Sequence, residues 1–160
     1  MTTATEAQTI KETETGAEAN ARTWAEQIDA WVDAIDFCGD EDAKGGDMTR
    51  EARAVLREYG YRGTNRDETR EAIEEAARES PLCVDVRSGW QSPGEALKPE
   101  EFQILLSTGG PALRVVGRLG EAGQPIRPRL EHQDWGTPWT WWRGACPGLE
   151  SFCALFFFGE

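Results

Sequence analysis

The chain has 160 residues, 29 of them acidic and 17 basic, for a formal net charge of -12. That length holds one domain with a core large enough to need no staple, and no apolar run approaches the roughly 20 residues that cross a bilayer. A surface this acidic is, as a whole, repelled by nucleic acid and drawn to a basic groove, unless the charge serves solubility alone.

Residues 1–20 are rich in Thr, Glu, Ala and Gln. Beyond Met1, Ile10 is their only large apolar side chain, so burial cannot offset the entropy of ordering and a disordered tail is expected. They carry no basic stretch followed by an apolar run, which predicts a cytoplasmic protein. From Thr23, read as an N-cap, Trp24, Ile28, Trp31 and Ile35 recur at helical spacing, with Glu26, Asp29, Asp33 and Asp36 largely off the stripe. This amphipathic helix is expected to end between Phe37 and Gly39. The acidic turn Asp40-Glu41-Asp42 and the pair Gly45-Gly46 follow as a loop.

Asp47 is placed to cap a second helix in which Met48, Ala52, Val55, Leu56 and Tyr59 face one way and Gly60 provides the stop. A third helix is predicted over Arg66 to Glu79 with a thin apolar stripe of Ile73, Ala76 and Ala77. Residues 21–80 thus form an acidic helical segment. Acidity is concentrated early in the chain: residues 1–47 hold twelve acidic side chains against Lys11, Arg22 and Lys44, whereas residues 81–160 hold nine against seven.

At Pro81 the pattern changes to strands. Leu82, Val84 and Val86 alternate with Cys83, Asp85 and Arg87, the period of a half-buried strand. Residues 102–106 read as a second strand closed by the turn Thr108-Gly109-Gly110-Pro111, residues 112–119 as a third and residues 127–133 as a fourth. Short connections imply an antiparallel meander. Gly148 to Phe158, apolar at Leu149, Phe152, Cys153, Leu155 and Phe156, fits a helix returning onto the sheet. The expected fold is α+β: N-terminal helices, a four-stranded antiparallel meander over residues 81–160 and a C-terminal helix, packed with residues 21–80 into one compact domain.

Four of the seven tryptophans fall between Trp135 and Trp142, in Asp134-Trp135-Gly136-Thr137-Pro138-Trp139-Thr140-Trp141-Trp142. Trp gives a large contact area at low entropic cost, so Trp135, Trp139, Trp141 and Trp142, with Asp134 capping the loop, are candidate partner-binding residues; the competing reading is that the indoles complete the core. Adjacent side chains diverge, so at least one of Trp141 and Trp142 is expected at the surface. The acidic residues Asp33, Asp36, Asp40, Glu41 and Asp42 are either a solvated face or a mimic of a phosphate backbone, and their spacing does not complete a calcium loop. Arg87, Arg114, Arg118, Arg127, Arg129 and Arg143 could share a solvent face, but the net charge predicts no direct nucleic-acid binding.

Cys38, Cys83, Cys146 and Cys153 form no CxxC pair and His132 is the lone histidine, so no metal or other cofactor is expected. A small hydrolase or redox-active protein using His132 with Cys83 or Cys146 is the alternative class, although no local motif supports it.

Arg87-Ser88-Gly89-Trp90, Ile104-Leu105-Leu106-Ser107-Thr108-Gly109-Gly110-Pro111-Ala112, Gln133-Asp134-Trp135-Gly136-Thr137-Pro138-Trp139 and Phe158-Gly159-Glu160 together resemble a family of small acidic proteins of bacteriophages, prophages and other mobile elements. The resemblance covers residues 81–160 and departs from the family pattern at Trp141-Trp142. It implies a context in which acidic proteins without enzymatic motifs inhibit host defence, of the anti-CRISPR or anti-restriction type. The combined expectation is a non-enzymatic inhibitor that binds a protein partner with a basic groove through its acidic surface and Trp-rich loop, without contact with a membrane.

Overall fold

The computed structural model describes residues 14–46 and 48–159. It is an α+β fold in the order α1 (Gly16–Gly39), α2 (Arg50–Glu58), α3 (Arg66–Glu79), β1 (Cys83–Ser88), β2 (Pro99–Ser107), β3 (Ala112–Leu119), β4 (Pro125–Gln133), β5 (Thr140–Trp141) and α4 (Leu149–Cys153). The strands form one antiparallel sheet in sequential order. Among the described residues no helix is long and apolar enough to cross a membrane.

The first helix starts earlier than its sequence pattern implies. Its N-cap is Thr15, not Thr23: the Thr15 hydroxyl accepts from the Glu18 N–H at 3.2 Å, and the Glu18 carboxylate accepts from the Thr15 N–H at 2.8 Å. Residues 16–20, expected in a disordered tail, are therefore its first turns; residues 1–13 lie outside the described set. The early turns have no apolar stripe in the sequence because what they bury is small. Ala17, Ala21 and Ala25 are inaccessible, and their size lets the helix approach its neighbours closely. Farther along, Ile28, Trp31, Val32 and Ile35 are buried as well.

α1 packs against α2 and α3 on one side and against α4, β3 and β4 on the other. It is the layer between the two halves of the molecule. α2 is capped by Thr49, whose hydroxyl accepts from the Ala52 N–H at 3.2 Å; Asp47, assigned that role from sequence, lies outside the described residues. At its other end the Tyr61 N–H reaches Leu56 O at 2.8 Å and the Gly60 N–H reaches Arg57 O at 3.2 Å, a closure that needs the positive φ of Gly60. α3 occupies the expected span and buries Thr69, Ile73 and Ala77. Its Arg66 donates to Phe37 O at 2.7 Å and lies over the Phe37 ring at 4.4 Å, so a neighbouring helix supplies the cation for the carbonyl end of α1.

The sheet differs from expectation at both edges. A fifth strand, β5, forms inside the Trp-rich segment and pairs Glu131 with Trp141 and His132 with Thr140. At the other edge, β1 is exposed on both faces and is not half-buried. Val84 and Val86 lie opposite the buried Ile104 and Phe102, on the helix-covered side, but the helical layer stops before it reaches them. The C-terminal segment is helical only through Cys153; beyond it Phe158 tilts onto Phe102 at 4.5 Å between ring centroids, closing the core from the sheet side.

Because α1 separates the halves, a cavity in it is felt by both. Ile28→Ala is expected to cost roughly 3 kcal/mol in urea unfolding with a single transition, and a loss under about 1 kcal/mol would show that α1 is not the shared core element.

Candidate functional site

The Trp-rich segment begins as a tight turn. The Thr137 N–H donates to Asp134 O at 3.1 Å, the Thr137 hydroxyl donates to the same oxygen at 3.0 Å, and the Asp134 N–H donates to the Thr137 hydroxyl at 3.1 Å. Gln133 Nε2 ties the turn to β4 by donating to Thr137 O at 2.7 Å. The turn therefore hangs on the Thr137 hydroxyl and the Asp134 backbone. Trp135 projects from it and is 81% exposed, yet its indole rests on the backbone of Gly110 in the turn between β2 and β3. Two segments far apart in the chain thus meet: Gly110 provides the floor, and Trp135 lies on it.

The remaining indoles diverge. Trp142 packs against the core, and Gly144 leaves room for its ring, so this candidate contact residue has a packing role. Trp141 is 48% exposed with the Arg143 guanidinium 3.8 Å above its ring. Trp139 is half-buried with the Arg114 guanidinium 4.2 Å above its ring. Trp90, in the loop after β1, is fully exposed; its only signal in the sequence was a place in the resemblance string.

Arg114 joins this aromatic edge to the open face of the sheet, the face that carries no helix. There a cleft of about 540 Å³ is lined by Arg87, Arg114, Arg118, Arg127 and Arg129 with Asp85, Glu101 and Glu131. Glu131 organises it. Its side chain is nearly buried; one carboxylate oxygen accepts from Arg114 Nε at 3.0 Å and Nη2 at 2.8 Å, the other from Arg129 Nε at 2.9 Å. Arg114 also donates to Gln103 at 2.8 Å, and Arg87 pairs with Glu101. Arg118 and Arg127 have no carboxylate partner among the described residues. Arg127 stands at a β-bulge, where it and Pro128 together face Gly117, and its φ of 50° is in the left-handed region.

The acidic candidates do not form one row. Along α1, Glu26 is paired with Arg22 at 3.2 Å, Asp29 accepts from the Gly148 N–H at 2.7 Å, and Asp33 accepts from the Thr49 hydroxyl at 3.2 Å. Asp29 and Asp33 thus hold neighbouring segments in place. Asp36, Asp40, Glu41 and Asp42 remain exposed as a corner at the end of α1. The Trp135 turn is near the opposite end, since Asn20 donates to Ser107 at 3.0 Å beside the Gly109-Gly110 turn. At 1.5 Å per residue the corner and the turn are separated by about 24 Å along the helix axis.

His132 is not brought to a thiol. Its side of β4 faces the helices, whereas Cys83 faces the open side three strands away, about 14 Å across the sheet. Cys146 hydrogen-bonds to Ala25 O and the Asp29 carboxylate of α1, and among the described residues no side-chain hydrogen bond joins it to His132. Burial, then the Asp29 carboxylate, push the Cys146 thiol up to about 12. Burial also raises Cys153, and the hydrogen bond to Asp85 raises Cys83. No group of three or more potential ligands is placed to hold a metal among the described residues.

Comparison with known proteins returned no matching family model, no similar curated protein and no similar solved structure. The chemistry of the two faces must therefore carry the functional reading.

Two outcomes are expected. A Cβ at Gly110 would overlap the Trp135 indole at a φ of 128°, so Gly110→Ala should cost about 2 kcal/mol and shift Trp emission; unchanged emission and stability would contradict the contact. A raised thiol pKa means less thiolate at neutral pH, so maleimide at pH 7.5 should label exposed Cys83 slowly and first, while Cys146 should react only on unfolding. Rapid native labelling of Cys146, read by mass spectrometry, would refute that environment.

Proposed function

We propose that this chain is a non-catalytic binding protein that docks on a protein partner with a basic groove and so obstructs it. The observation that carries this reading is Trp135. A large apolar ring is largely exposed to water yet held in one place, by the Thr137 turn that carries it and by the Gly110 backbone on which one part of it rests. A pre-positioned indole loses little freedom on binding, and such anchors dominate interface energies.

The corner of Asp36, Asp40, Glu41 and Asp42 supports the electrostatic half of the reading. Four carboxylates near the carbonyl end of a helix are unfavourable for that helix, so the arrangement is not explained by the stability of α1. It attracts a cationic surface and orients it during approach. Since the corner and Trp135 lie near opposite ends of α1, a partner touching both presents a basic groove of at least helix length. A nucleic-acid-binding complex has such a groove, and the resemblance to mobile-element proteins favours one of host defence, of the anti-CRISPR or anti-restriction type.

The two contributions separate kinetically. Against a partner captured from host cytosol, charge reversal at Asp40 and Glu41 should slow association about tenfold and flatten its salt dependence with little change in dissociation. Trp135→Ala should instead speed dissociation about 30-fold, the equivalent of ~2 kcal/mol. Capture that survives both changes and ignores ionic strength would sink the proposal.

A further inference from the structure

The charge of the molecule is segregated by face. Five arginines and three carboxylates line the open sheet face, a local excess of cations on a chain whose total is -12. The helical layer, which carries most of the carboxylates, covers the opposite side of the sheet. An anion approaching the sheet face therefore meets the arginines at close range, with the acidic helices behind the sheet.

Within the cleft the arginines divide in two. Arg114 and Arg129 are held by Glu131, and Arg87 by Glu101, which fixes the surface. Arg118 and Arg127 are left with guanidinium groups to offer. Arg127 is delivered by a bulge at a backbone angle that costs a non-glycine residue energy, so its placement works against local stability. Arg118 and Arg127 are toward one end of the strands; Trp139 and Trp141, with their stacked arginines, are toward the other, because Trp141 pairs with Glu131 and Arg118 is four residues along β3 from Arg114. Four residues of strand span about 13 Å.

We propose that this face is a binding site for single-stranded nucleic acid. Phosphate oxygens take the planar forks of Arg118 and Arg127, and an unstacked base takes the exposed ring of Trp141 or the guanidinium stacked on it. Arginine in place of lysine suits bidentate phosphate contact. The rings decide between single-stranded nucleic acid and the other candidates. An acidic peptide without aromatic residues would use the guanidinium groups but bring no aromatic ring to Trp141, and a duplex keeps its bases inside. The sum over the whole chain argues against phosphate, but it averages two faces that present different charge. The inference is independent of docking through Trp135, which lies on the Gly110 turn outside the cleft lining.

The test is fluorescence anisotropy of a labelled oligothymidylate of about ten nucleotides with the full chain at low salt. Binding is expected, with quenching of Trp emission. Arg118→Gln with Arg127→Gly should weaken it about tenfold or more and reduce the salt slope by about 1.4, the value for two lost contacts to a single strand. Glycine accepts the φ of residue 127, so the variant should keep or raise its thermal midpoint, which separates lost binding from lost folding. Trp141→Ala should also weaken binding, and Trp135→Ala should not. No binding by the unaltered chain, equal binding by the double variant, displacement by polyglutamate at matched charge or equal affinity for duplex would each overturn the proposal.

Discussion

The fold depends on how closely α1 can sit between two unlike layers. Ala17, Ala21 and Ala25 allow that approach along the N-terminal half, while Ile28, Trp31, Val32 and Ile35 fill the space farther along. Large side chains at the alanine positions would push the helix away from its neighbours and break the Asn20–Ser107 contact that ties α1 to the end of β2. The same helix sets the distance between the acidic corner and the Trp135 turn. Packing and the layout of the surface are therefore consequences of one element.

Glu131 does for the sheet face what α1 does for the core. A nearly buried carboxylate is tolerable only with its charge compensated, and Arg114 and Arg129 compensate it from two strands. Arg114 in turn covers Trp139, so the order of the cleft passes into the aromatic edge through a single guanidinium. Arginines on such a face are not all equivalent: three are committed to carboxylates, and Arg118 and Arg127 are not. A formal charge of -12 contains none of this, because a sum records neither which face a residue occupies nor whether its charge is already matched.

Much of the architecture was legible in the sequence. The span of α3, the Gly60 stop, the bounds of β3 and the antiparallel order all followed from periodicity and turn chemistry, which are local properties. The misses have non-local causes. The Thr15 cap has no apolar signal behind it in the sequence because the alanines buried there carry no hydrophobic signature, and β1 differs from its half-buried pattern because alternation cannot say whether a layer will cover a strand. Among the indoles, divergence of Trp141 and Trp142 followed from adjacency, but that Trp142 packs while Trp135 stays out depends on Gly144 and Gly110, one beside the loop and the other on a different turn. The shared face of the arginines was visible in strand alternation. The spare state of Arg118 and Arg127 was not, since it depends on which carboxylates lie across from them.

The uncovered edge at β1 means that the sheet is not equally firm across its width. β3 has strands on both sides and inaccessible Leu113 and Val115, whereas β1 has one neighbour and water on both faces. Opening of β1 exposes little new apolar surface, so fraying from that edge costs less than disturbing β3. It would carry off Arg87 and Asp85 while leaving Arg114, Arg118 and Arg129 on their strands. The wall of the cleft that bears Arg87 and Asp85 therefore has less holding it in place than the wall that bears Arg114, Arg118 and Arg129.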